Sequence, residues 1–169
     1  MKAEYVNPFV ESVKETFSSM LDCPVKVGKP MVTKDDENSQ DIIGVIGLTG
    51  TSRGIVAIRL PVQTALNAIG RMVGMEFTEI DSSIIDGVGE LINIVGGNAK
   101  AKFARQKISL SLPTVVRGNM YKLTNLTGTV FLTIPFSSDI GGFQILVSFK
   151  PGETQAYEKK EVAHAGANS

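Results

Sequence analysis

DGVGELINIVGGNAKAKF, residues 86–103, is the stretch on which the reading of this chain turns. At 100° per residue it forms a helix with two opposed faces. Asp86, Glu90, Asn93, Gly97 and Lys100 fall on one narrow stripe. Ile84, Ile85, Val88, Ile92, Val95, Ala99 and Phe103 fall on the opposite, core-facing side. A core helix has no need of an acid and an amide one turn apart. Nor does it need Gly87, Gly89, Gly96 and Gly97, each of which costs a helix about 0.5–1 kcal/mol against alanine. Glycines so placed imply that something approaches the backbone closely, either a partner or a neighbouring element.

The segments on either side fill in the fold. Asn7-Pro8 reads as a helix opening, with Asn as cap and Pro at the first helical position. Phe9, Val10, Val13, Phe17, Met20 and Leu21 follow at helical spacing, and Cys23-Pro24 ends the run. Val25–Thr33 reads as extended, and 34–40 as a polar loop. Ile42–Leu48 and Ile55–Leu60 flank Gly50–Gly54, a hairpin signal. Both runs are apolar on both faces, so the sheet is expected to be covered on both sides. Gln63–Val73 reads as a helix stopped by Gly74. The decisive helix then runs from just after Asp81 to about Arg105. Ser109–Val116, which holds Pro113, reads as an extended edge strand. Gly128–Phe136 and Gly142–Phe149 form a last hairpin, in which Phe143, Ile145, Val147 and Phe149 alternate with Gln144, Leu146 and Ser148. Strands in pairs around helix blocks predict an α/β fold, with a largely antiparallel sheet and long helices on one face. One domain over 1–150 is expected, with 151–169 a polar, frayed tail. The two hairpins hint at a distant duplication.

Composition excludes several functions. Lys+Arg and Asp+Glu are 17 each, so no net field favours nucleic acid or an anionic membrane. Cys23 is the single cysteine, which rules out an internal disulfide and any zinc spacing, and suits the cytoplasm. The start, MKAEYVNPFVES, lacks the apolar core of a signal peptide, and no apolar run approaches the ~18 residues of a membrane span. His164, the single histidine, lies in the polar tail, which argues against a catalytic triad or histidine metal site.

The chemistry rests on Glu90 and Asn93. The pattern Glu-x-x-Asn also occurs at Glu4/Asn7, where Asn7 is explained as a cap. A solvated face with an incidental polar pair would look the same, so context has to separate the two. Asn has no pKa suited to general-base work, but its carbonyl and amide can hold a water in place. Glu can accept charge-assisted hydrogen bonds from a cation. Such a pair is half an active site, and a phosphorylated protein carrying its own metal and cation would supply the rest. Gly50–Gly54 lacks Walker spacing and is read as a turn. Lys102 is read as surface charge, and the methionines as core or interface.

DGVGELINIVGGNAK resembles the signature helix of the CheC/CheX/FliY family of chemotaxis phosphatases. Asp86, Glu90, Asn93 and Gly97 occupy the motif positions. NPFVESVKETF and SLPTVV resemble the family's first helix and its post-helix strand. The CheC type carries two signature helices. Here the first helix has Glu11 but Lys14 where Asn would stand, so the single signature helix points to the CheX type. The resemblance implies a CheC-like fold and a protein phosphatase acting on the phosphoaspartate of a CheY-like response regulator. It implies Asn93 orienting the attacking water and Glu90 pairing with the receiver's lysine. Asp86, Gly97 and Lys100 are expected to meet the partner, though Asp86 could simply favour an early helical position. The receiver would bring Mg²⁺, with no cofactor on this chain, and the family implies a homodimer through sheet edges. The alternatives are a non-catalytic receiver-binding module of flagellar-switch type and a regulatory domain with a small-ligand pocket.

Overall fold

The computed structural model describes residues 2–32, 41–103, 106–118, 123 and 128–152. The polar loop at 34–40 and residues 153–169 of the tail lie outside them. The elements run α1 (Ala3–Leu21), β1 (Lys26–Val27), β2 (Met31–Val32), β3 (Asp41–Gly50), β4 (Arg53–Pro61), α2 (Val62–Val73), α3 (Ser82–Lys102), β5 (Ile108–Leu110), β6 (Thr114–Gly118), β7 (Leu132–Ser137) and β8 (Phe143–Lys150). All the strands join one sheet in the order β1-β7-β8-β4-β3-β5, with β2 also on β7 and β6 also on β3. Every pairing is antiparallel. The two expected hairpins, β3–β4 and β7–β8, lie side by side through β4 and β8, with Val56 opposite Val147.

Strand parity explains the doubly apolar runs. Ile42, Ile46, Val56, Ile58, Ile145 and Val147 point to the face where all three helices pack. Ile43, Ala57 and Leu146 point the other way and are covered by Phe131, with Leu123 beside it. The sheet is therefore covered on both sides, by helices on one and by a strand connection on the other. Each large apolar side chain buried in this way contributes about 1.5–3 kcal/mol. Phe17 stacks on Phe143 at 4.4 Å and Phe143 on Phe136 at 5.1 Å, tying α1 to the β7–β8 hairpin.

Three local expectations are corrected. The first helix begins at Ala3, not after Asn7, so Asn7 is no cap and Pro8 lies inside the helix. Tertiary contact prolongs it backwards, because Val6 is buried and Tyr5 lies 5.6 Å from Phe149. The stretch expected to be extended over 25–33 holds, in its described part up to Val32, two strands of two residues each, β1 and β2. The 109–116 strand is split into β5 and β6 around Leu112 and Pro113, since proline cannot donate to the ladder. α2 ends as expected, with Gly74 left-handed at φ 73°.

Candidate functional site

α3 carries the candidate residues, and its placement is fixed from several directions. Asp81 caps its start by accepting from the Ile84 N–H at 3.0 Å. Ile84, Val88, Leu91, Ile92, Val95 and Ala99 are buried beneath it. Gly44 of β3 lets the helix lie close to the sheet, since a Cβ there would be 3.1 Å from Val88 Cγ1 and 3.2 Å from its carbonyl oxygen. α1 holds the other side. The Ser12 hydroxyl donates to the Val95 carbonyl at 2.6 Å, and the Asn98 amide donates to Thr16 Oγ1 at 3.2 Å. Lys102 lies 2.7 Å from Glu15 and 3.9 Å from Glu11, so it is engaged within its own chain.

The glycines of α3 divide into two groups. A Cβ at Gly87 would lie 2.5 Å from Ile69 Cγ2 of α2, and one at Gly96 3.3 Å from Ile46 Cγ2 of β3. Those two allow neighbouring elements to pack, and no partner is needed to explain them. Gly89 leaves ordinary contact distance to Val115. A Cβ at Gly97 would meet nothing within 4 Å. Packing therefore gives no reason for a glycine at 97.

The stripe read from the periodicity stands on the outer surface. Asp86, Glu90 and Lys100 are exposed, while Asn93 and Gly97 are half-buried. Among the described residues, the side chains of Asp86, Glu90, Asn93 and Lys100 form no hydrogen bond or ion pair. Asp86 lies beyond the first turn of a helix that starts at Ser82. That weakens the electrostatic reason for an acid there, because the helix-end field falls off within about one turn. Glu90 and Asn93 are three residues apart, so their Cβ atoms are about 5–6 Å apart. One water or one phosphoryl oxygen fits between such groups. An unengaged amide offers both a donor and an acceptor, and an ionised carboxylate offers acceptors alone.

Among the described residues, the single thiol is not set up as a nucleophile. Cys23 is buried and donates to Asp139 Oδ1 at 2.9 Å. Burial holds its thiol above the usual range, hence protonated. Among the described residues no group of three or more His, Cys, Asp and Glu side chains is placed to share a metal ion. No described helix is long and apolar enough to cross a membrane.

A family model described as "Chemotaxis phosphatase CheX" matches residues 42–137. The CheY-P phosphatase CheX of Thermotoga maritima is 31% identical over 140 residues, covering 81% of this chain and 89% of that protein. The chain belongs to the chemotaxis phosphatase CheX family. The phosphatase class that the resemblance implied is thus the family's own. The fold agrees: a CheC-like superfamily protein from Shewanella sp. PV-4 superposes with a TM-score of 0.80 at 29% identity, covering 89% of this chain and 99% of that one. The Borrelia burgdorferi CheX, solved in complex with CheY, BeF3 and Mg²⁺, shares the fold with a TM-score of 0.75 at 21% identity, covering 88% and 99%. In this CheX-family chain the motif helix is α3, and 42–137 takes in α3 together with β4, α2, β5, β6, β7 and all of β3 but Asp41.

Two features of the site escaped the sequence reading. Gly44 interrupts the apolar run IIGVIG, and that interruption was its one visible trace. The β5–β6 connection borders the stripe: Leu110 Cδ1 lies 3.7 Å from a Cβ position at Gly96, and Pro113 Cγ 3.8 Å from one at Gly89. No periodicity in the sequence signals that neighbourhood.

Proposed function

We propose that this CheX-family phosphatase hydrolyses the phosphoaspartate of a CheY-like receiver docked on the outer stripe of α3. The observation that carries the reading is the pair Glu90 and Asn93, one turn apart on an exposed surface and engaged by no described neighbour. Asn93 holds the attacking water in line with the phosphorus, and the gain comes from orientation. Glu90 accepts a hydrogen bond from the receiver's active-site lysine, which seats the receiver on the helix. Asp86, Gly97 and Lys100 extend the contact along the stripe. The receiver contributes the phosphorylated carboxylate and Mg²⁺, and this chain holds no cofactor. The named complex of the Borrelia protein with CheY and BeF3 supports the choice of partner.

The same reading places the protein in the cytoplasm as a homodimer joined through sheet edges. The β1/β2 end of the sheet offers such an edge. The test is a panel of phosphorylated receivers from the same genome, assayed for loss of phosphate with and without this protein. Acceleration for one receiver, lost in Asn93→Ala, is the expected result. No acceleration for any receiver overturns the reading.

A further inference from the structure

We infer that Leu112, on the connection between β5 and β6, is an apolar anchor for the phosphorylated receiver beside Asn93. The inference rests on the proposed function and adds a contact that the motif does not contain. Leu112 is 88% exposed, the most exposed large hydrophobic side chain among the described residues; the next, Met75, is 63% exposed. A single exposed leucine needs no explanation by itself. Its place and its rigidity do.

The place follows from the contacts on either side of it. Leu110 lies beside Gly96, and Pro113 and Val115 lie beside Gly89. The connection therefore runs antiparallel to α3 and passes Asn93 between these two points. At 100° per residue, Gly89 and Gly96 form the flank of the helix next to Asn93 and Lys100, while Gly87 and Asn98 lie on the far flank. The far flank is covered by α2 and α1, through Ile69 and Thr16. Of the two half-buried members of the stripe, Asn93 stands nearer the β5–β6 side than Gly97. A protein docked on the stripe at Asn93 would lie beside this connection.

The rigidity follows from Ser111. Its N–H donates to the Gly47 carbonyl at 2.9 Å, and its hydroxyl accepts from the Gly47 N–H at 2.9 Å. The same hydroxyl donates to the Leu112 carbonyl at 2.8 Å. Pro113 then restricts the backbone on the other side. Leu112 is held out from a backbone pinned to β3, so little freedom is lost when a partner covers it. Its occupant is the apolar surface bordering the receiver's phosphorylated aspartate.

The test compares wild type, Leu112→Ser and Leu112→Met, using the receiver picked out by the panel and loaded with beryllofluoride. Receiver affinity, KM and kcat, melting temperature and oligomeric state are read for each. Leu112→Ser is expected to weaken receiver binding and raise KM about tenfold or more, with an unchanged melting temperature. Leu112→Met is expected to restore both. Wild-type affinity and KM in Leu112→Ser, while Asn93→Ala still abolishes turnover, overturns the anchor and leaves the phosphatase reading standing. A Leu112→Ser protein that loses a homodimer but keeps receiver affinity gives the side chain to a second copy and also overturns it. A wild type that neither binds nor dephosphorylates any receiver removes both inferences.

Discussion

Asn93 and Glu90 differ in what their loss should do. In the proposed function Asn93 acts on a water whose position matters most in the transition state, so its removal should cost turnover more than binding. For Asn93→Ala the expected loss is ~3 kcal/mol of transition-state stabilisation, about a hundredfold in rate. Receiver affinity should stay near wild type, as measured by titration against the same receiver. Turnover at the wild-type rate would remove Asn93 as the water-orienting group. In the same proposal Glu90 works through charge. Glu90→Lys places a cation opposite the receiver's lysine, so affinity and turnover should fall together. Glu90 is exposed and engaged by no described neighbour, so the fold should survive the change. Calorimetric titration with unchanged affinity would place Glu90 outside the interface.

The glycines of α3 make opposite predictions at the scale of the element. Gly97 has open space where a Cβ would stand. Gly97→Leu should therefore hold or raise the melting temperature, gaining up to about 1 kcal/mol of helix propensity. Receiver binding and dephosphorylation should both be lost, because the side chain would stand between α3 and the receiver. A lowered melting temperature with normal binding by the folded fraction would take Gly97 out of the site. Gly87 lies against Ile69, where an added Cβ would come within 2.5 Å. Gly87→Leu should destabilise by about 1–3 kcal/mol through overpacking, with activity lost only as folded protein is lost. The sequence marked both glycines as places of close approach. It could not tell which approached a partner, because angular position on a helix does not say what lies opposite.

Across the whole molecule, one polar cluster joins elements distant in sequence. Asp139, in the β7–β8 turn, accepts from Cys23 after α1 and pairs with Arg71 of α2 at 2.7 Å. The Cys23 hydrogen bond, and then Arg71, hold the Asp139 carboxyl below its ordinary value of 3.8. A carboxyl depressed in the folded state adds stability above its unfolded pKa and loses it as pH falls through the folded one. Asp139→Asn should therefore melt below wild type near neutral pH, and the gap should close as pH drops below about 4. Calorimetric scans of both proteins across that range decide it. A gap independent of pH would mean that packing, rather than the charge, carries the effect.

The sequence by itself determined the candidate face, the helix that bears it, the two hairpins and the antiparallel class. These follow from local periodicity, since spacing of 3.6 or 2 residues sets which side chains share a face whatever else the chain does. The Ser109–Val116 reading was right about an edge but blind to its break at Leu112-Pro113. Asn7-Pro8 misled because buried contacts of Val6 and Tyr5 outweigh a local helix-start signal. Tertiary structure alone decided the sheet order, the seating of α3 over Gly44, the division between Gly87 and Gly97, and the course of the β5–β6 connection past Gly89 and Gly96 of α3. The reason is sequence separation: Gly47 and Ser111, which set Leu112 in place, are 64 residues apart. No local pattern encodes which distant backbone a residue will meet. That is settled only when burial of the two sheet faces selects one arrangement of the strands.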